Sequence, residues 1–490
     1  MGYACPKSPI AGEGVEKTMS DVGKKNLPMV VLAFFYLAFL GVEYLFDEKV
    51  ANLAGAGSVA MAESAVVGVS VVGFLLYPLA LKLAARRIRP LLLAAGGASA
   101  ACSVALGVAE QLTATYVAGA AGLLCLGFVG AAAHDAVSRE REDAGIASTV
   151  GIAYTAAIIL QVELQGLTGA GLMRAALLAA ACLASAALAT ARAAAPKAPG
   201  TAAPDDAPAT RALPVLAAIV ALMTCIFSTL NVSLTGMHAA GQVDLGSWPR
   251  LLLAASALAS GFALDRLSRR YAPVAMALVS TLSCFAIFSA VSGGPALLCA
   301  AVFYLGSGAF VVFFTSAFML AGCASSPSGL WPSVGRVVNN VVSLAVAAPA
   351  LALVSRANGL AVSAVVLVLL AVIYALVFLW LEKGTGPTVS GEPPAPAMPS
   401  APDARPAHVL LGPDQKLAAF SSAFGLTERE AEVLAALTTS DSSMQDLARQ
   451  LYMSRTALYR HISSMCGRVG VDNRQALLLC YFSWQPEDLG

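Results

Sequence analysis

A run of eleven residues near the end of the chain, LYMSRTALYRH at 451–461, carries side chains of the kind that contact DNA. Its arginine and hydroxyl groups donate hydrogen bonds, which phosphate oxygens and base edges accept. Leu458, Ile462, Met465 and Val469 recur at helical spacing and predict a buried stripe, which leaves the polar side chains on the opposite face. Ser454 is suited to cap the start of this helix.

A second group of polar residues lies within long apolar segments. Glu43 and Glu63 fall near the outer ends of the first two segments, and Asn231, Asn339 and Asn340 lie in the second half of the chain. An ionisable residue inside a membrane span is costly, so each carboxylate predicts contact with a small-molecule ligand. The alternative interpretation is that the carboxylates are solvated or paired and that the amides hold neighbouring helices together.

The sequence offers no residues for catalysis. It has no phosphate-cradling glycine loop, nucleophile elbow or kinase motif. The ten cysteines are scattered without the paired spacing of metal sites or disulfides. His134 and Asp135 fall at a predicted loop edge, also without metal-like spacing. We therefore expect no enzyme activity, no cofactor and no metal site.

The composition indicates a membrane protein. Hydrophobic residues make up 58% of the chain and charged residues 12%, against about 45–50% and about 25% in soluble domains. The net charge of +1 excludes a general polyanion-binding surface, so any contact with nucleic acid must be local. The polar stretch up to Asn26 lacks the pattern of a cleavable signal peptide.

Twelve apolar segments are long enough to cross a bilayer, since a spanning helix needs about 20 residues. The first six are 27–46, 59–81, 90–109, 113–133, 145–165 and 172–191. The second six are 212–234, 248–264, 272–292, 295–320, 333–354 and 360–381.

Lys and Arg residues are distributed unevenly between the two ends of these spans. Four lie on the side opposite the amino terminus: Lys49, Arg174, Arg250 and Arg356. Sixteen lie on the side of the amino terminus: Lys24, Lys25, Lys82, Arg86, Arg87, Arg89, Arg139, Arg141, Arg192, Lys197, Arg211, Arg266, Arg269, Arg270, Arg336 and Lys383. Positive loops remain in the cytoplasm, so the even span count predicts a multi-pass protein of the cell membrane with both termini cytoplasmic.

Changes in composition divide the chain into six parts. We expect a cytoplasmic amino-terminal segment (1–26), a first six-span half (27–191), a cytoplasmic linker (192–211), a second six-span half (212–383), a Pro/Ala-rich linker (384–413) and a terminal domain (414–490). The linkers are too rich in Pro, Ala and charged residues to bury a core.

The terminal domain shows helical periodicity after a short lead-in helix at 414–424. Thr427 precedes Glu430 by three residues, the spacing of a capping box, and predicts a helix at 428–437. A second helix follows in SSMQDLARQL, a third begins after Ser454 and ends at Gly470, and a fourth covers 474–484. Two helices joined by a tight turn, the second with a polar face, predict a helix-turn-helix, which places a helix in the major groove of DNA.

Several motifs in this domain resemble the carboxy-terminal DNA-binding domain of the LuxR family of transcriptional regulators. They are the LTxRExEVL opening, the later Ser and His spacing and the closing GVxxR. The matching residues are Leu426, Thr427, Arg429, Glu430, Glu432, Val433, Leu434, Ala448, Leu451, Ser454, His461, Gly470, Val471 and Arg474. The resemblance covers roughly a tenth of the chain.

The resemblance implies a role for each polar residue of the third helix. Base edges would be read by Tyr459, Arg460 and Ser463, and phosphates would be contacted by Ser454, Arg455 and Thr456. Residues 426–490 carry six basic and eight acidic side chains, a net charge of −2. Binding by one copy should then be weak, so a homodimer on two half-sites is expected. Double-stranded DNA and RNA polymerase are the implied partners.

This domain also departs from the LuxR pattern. Ala457 stands where the family usually has Thr, Tyr459 where it often has Lys, and the loop between the first two helices is one residue longer. A helical bundle that docks on another protein is the alternative interpretation.

The membrane part resembles the major facilitator superfamily, whose halves are six-span repeats with a substrate site between them. The segment GFALDRLSRR, with Gly261, Asp265, Arg266, Arg269 and Arg270, is similar to that superfamily's loop signature. The equivalent loop of the first half reads PLALKLAARR. Alignment of its Arg86 and Arg87 with Arg269 and Arg270 puts Pro78 at the glycine and Lys82 at the aspartate.

The sequence thus predicts an all-α protein with a polytopic membrane domain of about twelve spans in two halves and a four-helix LuxR-type terminal domain. One signature loop is lost, and that loop is thought to latch the halves of a transporter. We therefore expect a membrane-embedded transcriptional regulator whose lipid-embedded domain senses a small molecule. The alternative is a small-molecule transporter with an appended DNA-binding or protein-binding domain.

Overall fold

The computed structural model describes residues 11–140, 145–167, 171–192, 207–239, 241–244, 248–267, 271–324, 329–356, 359–383, 413–439, 444–469, 471 and 474–484. These residues form helices, turns and short connections, with no strand among them. The predicted all-α class is therefore confirmed. The chain divides into two compact units, Met1–Ser390 and Gly391–Gly490, here termed the membrane unit and the terminal unit.

Twelve long helices form the described part of the membrane unit. The first half contains α1 (Ala11–Ala54), α2 (Val59–Leu83), α3 (Ile88–Val108), α4 (Leu112–Glu140), α5 (Ile146–Gly166) and α6 (Gly171–Arg192). The second half contains α7 (Ala207–Ala239), α8 (Arg250–Arg266), α9 (Ala272–Val291), α10 (Ala296–Ala324), α11 (Trp331–Arg356) and α12 (Gly359–Lys383).

Two buried apolar clusters correspond to these halves. One is built mainly from α1 to α6 and the other from α7 to α12. Large apolar side chains also face outward along the helices, such as Val368 and Phe378 on α12, which are 63% and 61% exposed. An apolar outer surface around internally hydrogen-bonded helices suits a lipid environment.

Eleven helices in the described ranges are long and apolar enough to cross a membrane, one fewer than the twelve expected. The helix that falls short is α8, which has 17 residues. It is shorter than expected because the apolar segment predicted from residue 248 becomes helical only at Arg250. Helix α8 nevertheless packs inside the unit. A Cβ placed on Gly151 of α5 would lie 2.5 Å from the Ala257 carbonyl oxygen of α8, and one on Gly261 of α8 would lie 2.8 Å from that of Ala147. The two backbones are therefore in direct contact.

Several helices extend beyond their apolar segments. Helix α1 begins at Ala11, inside the expected amino-terminal segment, and continues to Ala54. Helix α4 continues to Glu140, so His134 and Asp135 are buried within it, which corrects their expected place at a loop edge. Helix α7 begins at 207 within the expected linker. Most of that linker and all of 384–412 lie outside the described residues.

The terminal unit contains five helices in its described ranges: α13 (Pro413–Ala423), α14 (Glu428–Thr439), α15 (Met444–Gln450), α16 (Arg455–Val469) and α17 (Arg474–Ser483). They lie where the sequence pattern places a lead-in helix and four further helices. Phe420, Leu434, Leu458 and Met465 are buried together in their common core. Tyr452, with φ 49°, lies in the turn between α15 and α16.

Candidate functional site

A cavity of about 190 Å³ lies between the two halves of the membrane unit. Helices α1, α2 and α5 of the first half and α7, α10 and α11 of the second half line it. All five polar residues that the sequence suggested for ligand binding lie on its wall: Glu43, Glu63, Asn231, Asn339 and Asn340. The structure thus brings together residues that are up to 297 positions apart (340 minus 43). Their role as ligand contacts stays a prediction.

Two helices of the second half present polar stripes to this cavity. On α11 the polar lining residues are Arg336, Asn339, Asn340 and Ser343, and on α7 they are Thr224, Ser228 and Asn231. These spacings of three and four residues keep each set on one helical face. Helix α11 also exposes apolar side chains, such as Val341 and Leu344, so its polar stripe faces the cavity while apolar residues face outward.

Glu43 on α1 and Glu63 on α2 both line the cavity. Their carboxyl groups are close enough to interact electrostatically, so two helices of the first half place acidic groups next to each other in the cavity wall. Sequence reasoning placed both near the outer ends of their spans, but α1 extends eleven residues beyond Glu43, to Ala54 (54 minus 43), so Glu43 lies well inside its helix.

Arg336 is the charged residue of the cavity wall that sequence reasoning missed. Its side chain is buried, and its guanidinium carbon lies 5.1 Å, 5.4 Å and 5.9 Å from the ring centroids of Tyr36, Phe314 and Tyr154. It had been assigned to the positive loops because it precedes most of its span. Its position three and four residues before Asn339 and Asn340 is the signal that places it on the same face.

A chain of hydrogen bonds joins the halves beside the cavity. The Asn340 amide donates to the Ser70 hydroxyl on α2 at 3.0 Å. Asn339 donates to the Asn340 side-chain oxygen at 3.0 Å, and Thr224 on α7 donates to Asn339 at 3.2 Å. Asn340 therefore links two helices and also lines the cavity, so the interpretation that the amides hold helices together is observed at this position.

A second link between the halves lies in the last turn of α8, within the signature motif. The Asp265 carboxylate accepts hydrogen bonds from the backbone N–H groups of Ala147 and Ser148, at 2.9 Å and 2.8 Å. These groups begin α5 and have no partner within their own helix. Gly145, at the cap position, has no side chain to satisfy them. The second half therefore caps a helix of the first half. Arg269 and Arg270 lie outside the described residues.

The corresponding loop of the first half has no such carboxylate. Lys82, at the position of the aspartate, is exposed near the end of α2. The adjoining turn of α2 lies close to the start of α11, since a Cβ placed on Gly329 would lie 3.3 Å from Leu81 and 3.5 Å from Tyr77. A cation at this position cannot accept hydrogen bonds from the first N–H groups of α11.

The six residues suggested for DNA contact are all exposed at the start and along one face of α16: Ser454, Arg455, Thr456, Tyr459, Arg460 and Ser463. Ser454 caps the helix, because its hydroxyl accepts a hydrogen bond from the Ala457 N–H at 3.1 Å. Leu458, Ile462 and Met465 are buried on the other face.

The capping box at the start of α14 is present. The Thr427 N–H donates to the Glu430 carboxylate at 2.8 Å, and the Glu430 N–H donates to the Thr427 hydroxyl at 3.3 Å. Burial acts to raise the pKa of Glu430. The hydrogen bonds from Thr427 and Ser464 and the charge of Arg468, 3.8 Å away, outweigh burial and lower this pKa below its usual value. Glu430 therefore fixes the start of α14 while it is ionised.

The membrane unit has the fold of major facilitator superfamily transporters. Human organic anion transporter MFSD10 (TETRAN) matches with a TM-score of 0.54 and 15% identity over 72% of this chain and 97% of that chain. A variant of the Escherichia coli fucose:proton symporter FucP matches with a TM-score of 0.47 and 14% identity over 72% of this chain and 98% of that chain. No protein-family model and no curated protein sequence matches the chain.

Proposed function

We propose that the membrane unit binds a small polar molecule in its central cavity and carries it across the membrane, as a transporter of the major facilitator type. The observation that carries this proposal is the convergence of polar residues from both halves on one cavity inside an apolar helical unit. A site between two repeats is accessible from alternate sides when the halves move against each other. The likeness in fold supports transport more than it supports regulation.

The direct test is uptake into proteoliposomes. The full chain, reconstituted with a mixture of small metabolites outside, should accumulate some of them. Asn231→Leu removes a polar group from the cavity and should lower that uptake by about tenfold, as loss of one buried hydrogen-bonding group does. Thr281→Val is the matched control, because its hydroxyl contacts Tyr374 at an exposed position outside the cavity. A folded protein that accumulates nothing under any imposed gradient is not a transporter.

A second candidate function is ligand-controlled regulation of transcription. Two observations favour it: the exposed polar face of α16 next to LuxR-like motifs, and the absence of an aspartate at Lys82. In this proposal the membrane unit senses a small molecule without efficient turnover. The terminal unit, in the cytoplasm, binds operator DNA as a homodimer and contacts RNA polymerase.

Arg460 and Arg455 provide a matched test of this second function. Arg460→Ala should remove about 1–3 kcal/mol of preference for the operator over random DNA, because a base contact is lost. Arg455→Ala should weaken binding to all DNA sequences alike, because a phosphate contact carries no sequence information. Promoter occupancy by the full chain in cells is the measurement. A terminal unit that acts only by docking on a protein would show no change in occupancy with either variant.

A further inference from the structure

We infer that the ligand of the central cavity carries a carboxylate, which Arg336 binds through the paired N–H groups along one edge of its guanidinium. This inference rests on the proposed binding of a small molecule in that cavity and names the class of molecule. It is independent of whether binding leads to transport or to regulation.

The first argument is the hydrogen-bonding state of Arg336. The residue is 7% exposed, yet its Nε and Nη2 atoms have no hydrogen-bond partner in the described part of the chain. These two atoms carry the parallel N–H groups that bind both oxygens of a carboxylate. Buried polar groups without a partner are rare in proteins and are costly. A ligand oxyanion would satisfy both donors together.

The second argument is the set of groups around Arg336. Tyr36, Phe314 and Tyr154 contribute ring faces, which stabilise a cation but offer no anion. The Tyr36 hydroxyl is a further buried donor without a partner among the described residues. This part of the molecule therefore holds three unpaired donor atoms and one positive charge. The ion pairs in the described ranges do not include Arg336.

The third argument is position. Arg336 lies on the cavity wall five residues after the first residue of α11 (336 minus 331), whereas Glu43 and Glu63 occupy the wall on α1 and α2. No ion pair in the described ranges joins either carboxyl group to Arg336, so neither neutralises the guanidinium by direct contact. The edge of the guanidinium that carries the unpaired Nε and Nη2 atoms is covered by protein. The side chain must therefore turn toward the cavity when the ligand binds, and arginine has the torsional freedom to do so.

Binding of three probes of nearly equal shape tests the inference: benzoate, benzamide and benzylamine. The purified full chain in lipid nanodiscs should bind benzoate about tenfold or more tightly than the neutral amide and the cation, as expected for a charge-assisted bidentate pair. Equilibrium titration is the measurement. Equal or stronger binding of benzamide or benzylamine, or no binding of any probe, would overturn the inference.

Variants test whether Arg336 causes the preference for benzoate. Arg336→Gln should reduce the benzoate preference to about twofold or less, and Arg336→Lys should keep a part of it, because lysine retains the charge but lacks the paired edge. Arg174→Gln is the control, since Arg174 pairs with Glu48 and does not line this cavity. A folded Arg336→Gln protein with the full preference contradicts the proposal.

A second variant keeps the test decisive if Arg336→Gln does not fold. Tyr36→Phe removes one donor and should weaken benzoate binding by about fivefold with no change for benzamide. Equal effects on both probes would contradict the inference. Uptake of neutral metabolites, without any benzoate preference, would refute the carboxylate assignment and leave the proposed function intact.

Discussion

The two halves of the membrane unit differ at the ends of their second helices, α2 and α8. In the second half, Asp265 caps the start of α5 across the interface. In the first half, Lys82 occupies the equivalent position near the start of α11 and is exposed. The two loops occupy related places in a repeated fold, yet one holds the halves together through charge-assisted hydrogen bonds and the other cannot.

This difference shows that repeat symmetry in the helices does not require symmetry in the contacts that restrain them. A transporter with two such caps has two equivalent restraints on the movement of its halves. This chain has one such cap in its described residues, beside side-chain hydrogen bonds between the halves such as Asn340 to Ser70, so loss of Asp265 should leave the movement of the halves less restrained. The following substitutions test that dependence.

Asp265→Ala should have the largest effect. Loss of the carboxylate leaves two N–H groups of α5 without an acceptor, at a cost of about 2 kcal/mol. Local opening should then be about thirtyfold more frequent, so the 145–151 peptide should exchange its amide hydrogens faster by that factor. Hydrogen exchange with mass spectrometry on the full chain measures this.

The control is Lys82→Ala, which removes the side chain at the equivalent loop. Exchange at the start of α11 should remain unchanged, because lysine accepts no hydrogen bond there. Equal effects of the two substitutions on their respective helices would mean that both loops restrain the halves and that the comparison is wrong.

The sequence predicted this asymmetry because it rests on one residue in a recognisable motif. It also indicated five of the polar residues that line the cavity, since a polar group in a spanning helix is favoured where it faces the protein interior. It missed Arg336, because a charge near the end of a span is also typical of a loop. It misplaced His134, because apolar periodicity does not show how far a helix continues once it reaches polar residues.

Glu430 in the terminal unit caps its own helix, α14, whereas Asp265 caps a helix of the other half. Glu430→Gln should destabilise α14 by about 1.5 kcal/mol at neutral pH, through loss of charge-assisted hydrogen bonds. Because the folded-state pKa of Glu430 is lowered, its contribution is full above the usual value of 4.5 and disappears as the pH falls through the lowered pKa.

Hydrogen exchange of the 426–437 peptide, corrected for the intrinsic effect of pH, measures this change between neutral pH and about pH 3. The variant should show a flatter pH dependence than the unmodified chain. A pH dependence that is unchanged in the variant would show that another group is responsible.

The hydrogen bonds beside the cavity should contribute less than Asp265 does. Asn340→Ala breaks the link from α11 to Ser70 and should lower the free energy of unfolding by about 1 kcal/mol, the scale of hydrogen bonds between helices in membranes. A double-mutant cycle with Ser70→Ala isolates the pair. A coupling energy near zero would mean that the two side chains do not interact.

Restoration of the missing cap should have the smallest effect. Lys82→Asp places a carboxylate near the start of α11 and should stabilise that end by about 0.5 kcal/mol, through interaction with the helix dipole. Slower exchange of the 330–336 peptide is the expected result. Lys82→Asn is the matched control for the charge, and equal protection by both variants would assign the gain to hydrogen bonding alone.

The contact of α5 with α8 determines how the two halves can move against each other. At Gly151 and Gly261 the two backbones touch without side chains between them. Helices that interlock through ridges and grooves shift only in steps, because each knob must leave its hole. A glycine-lined crossing is smooth, so α5 and α8 can slide or pivot by fractions of a helical turn with no rotamer exchange. The two halves can thus pivot where α5 crosses α8, next to the hydrogen bonds of Asp265. Substitution of either glycine by alanine would place a methyl group between the backbones and block this movement.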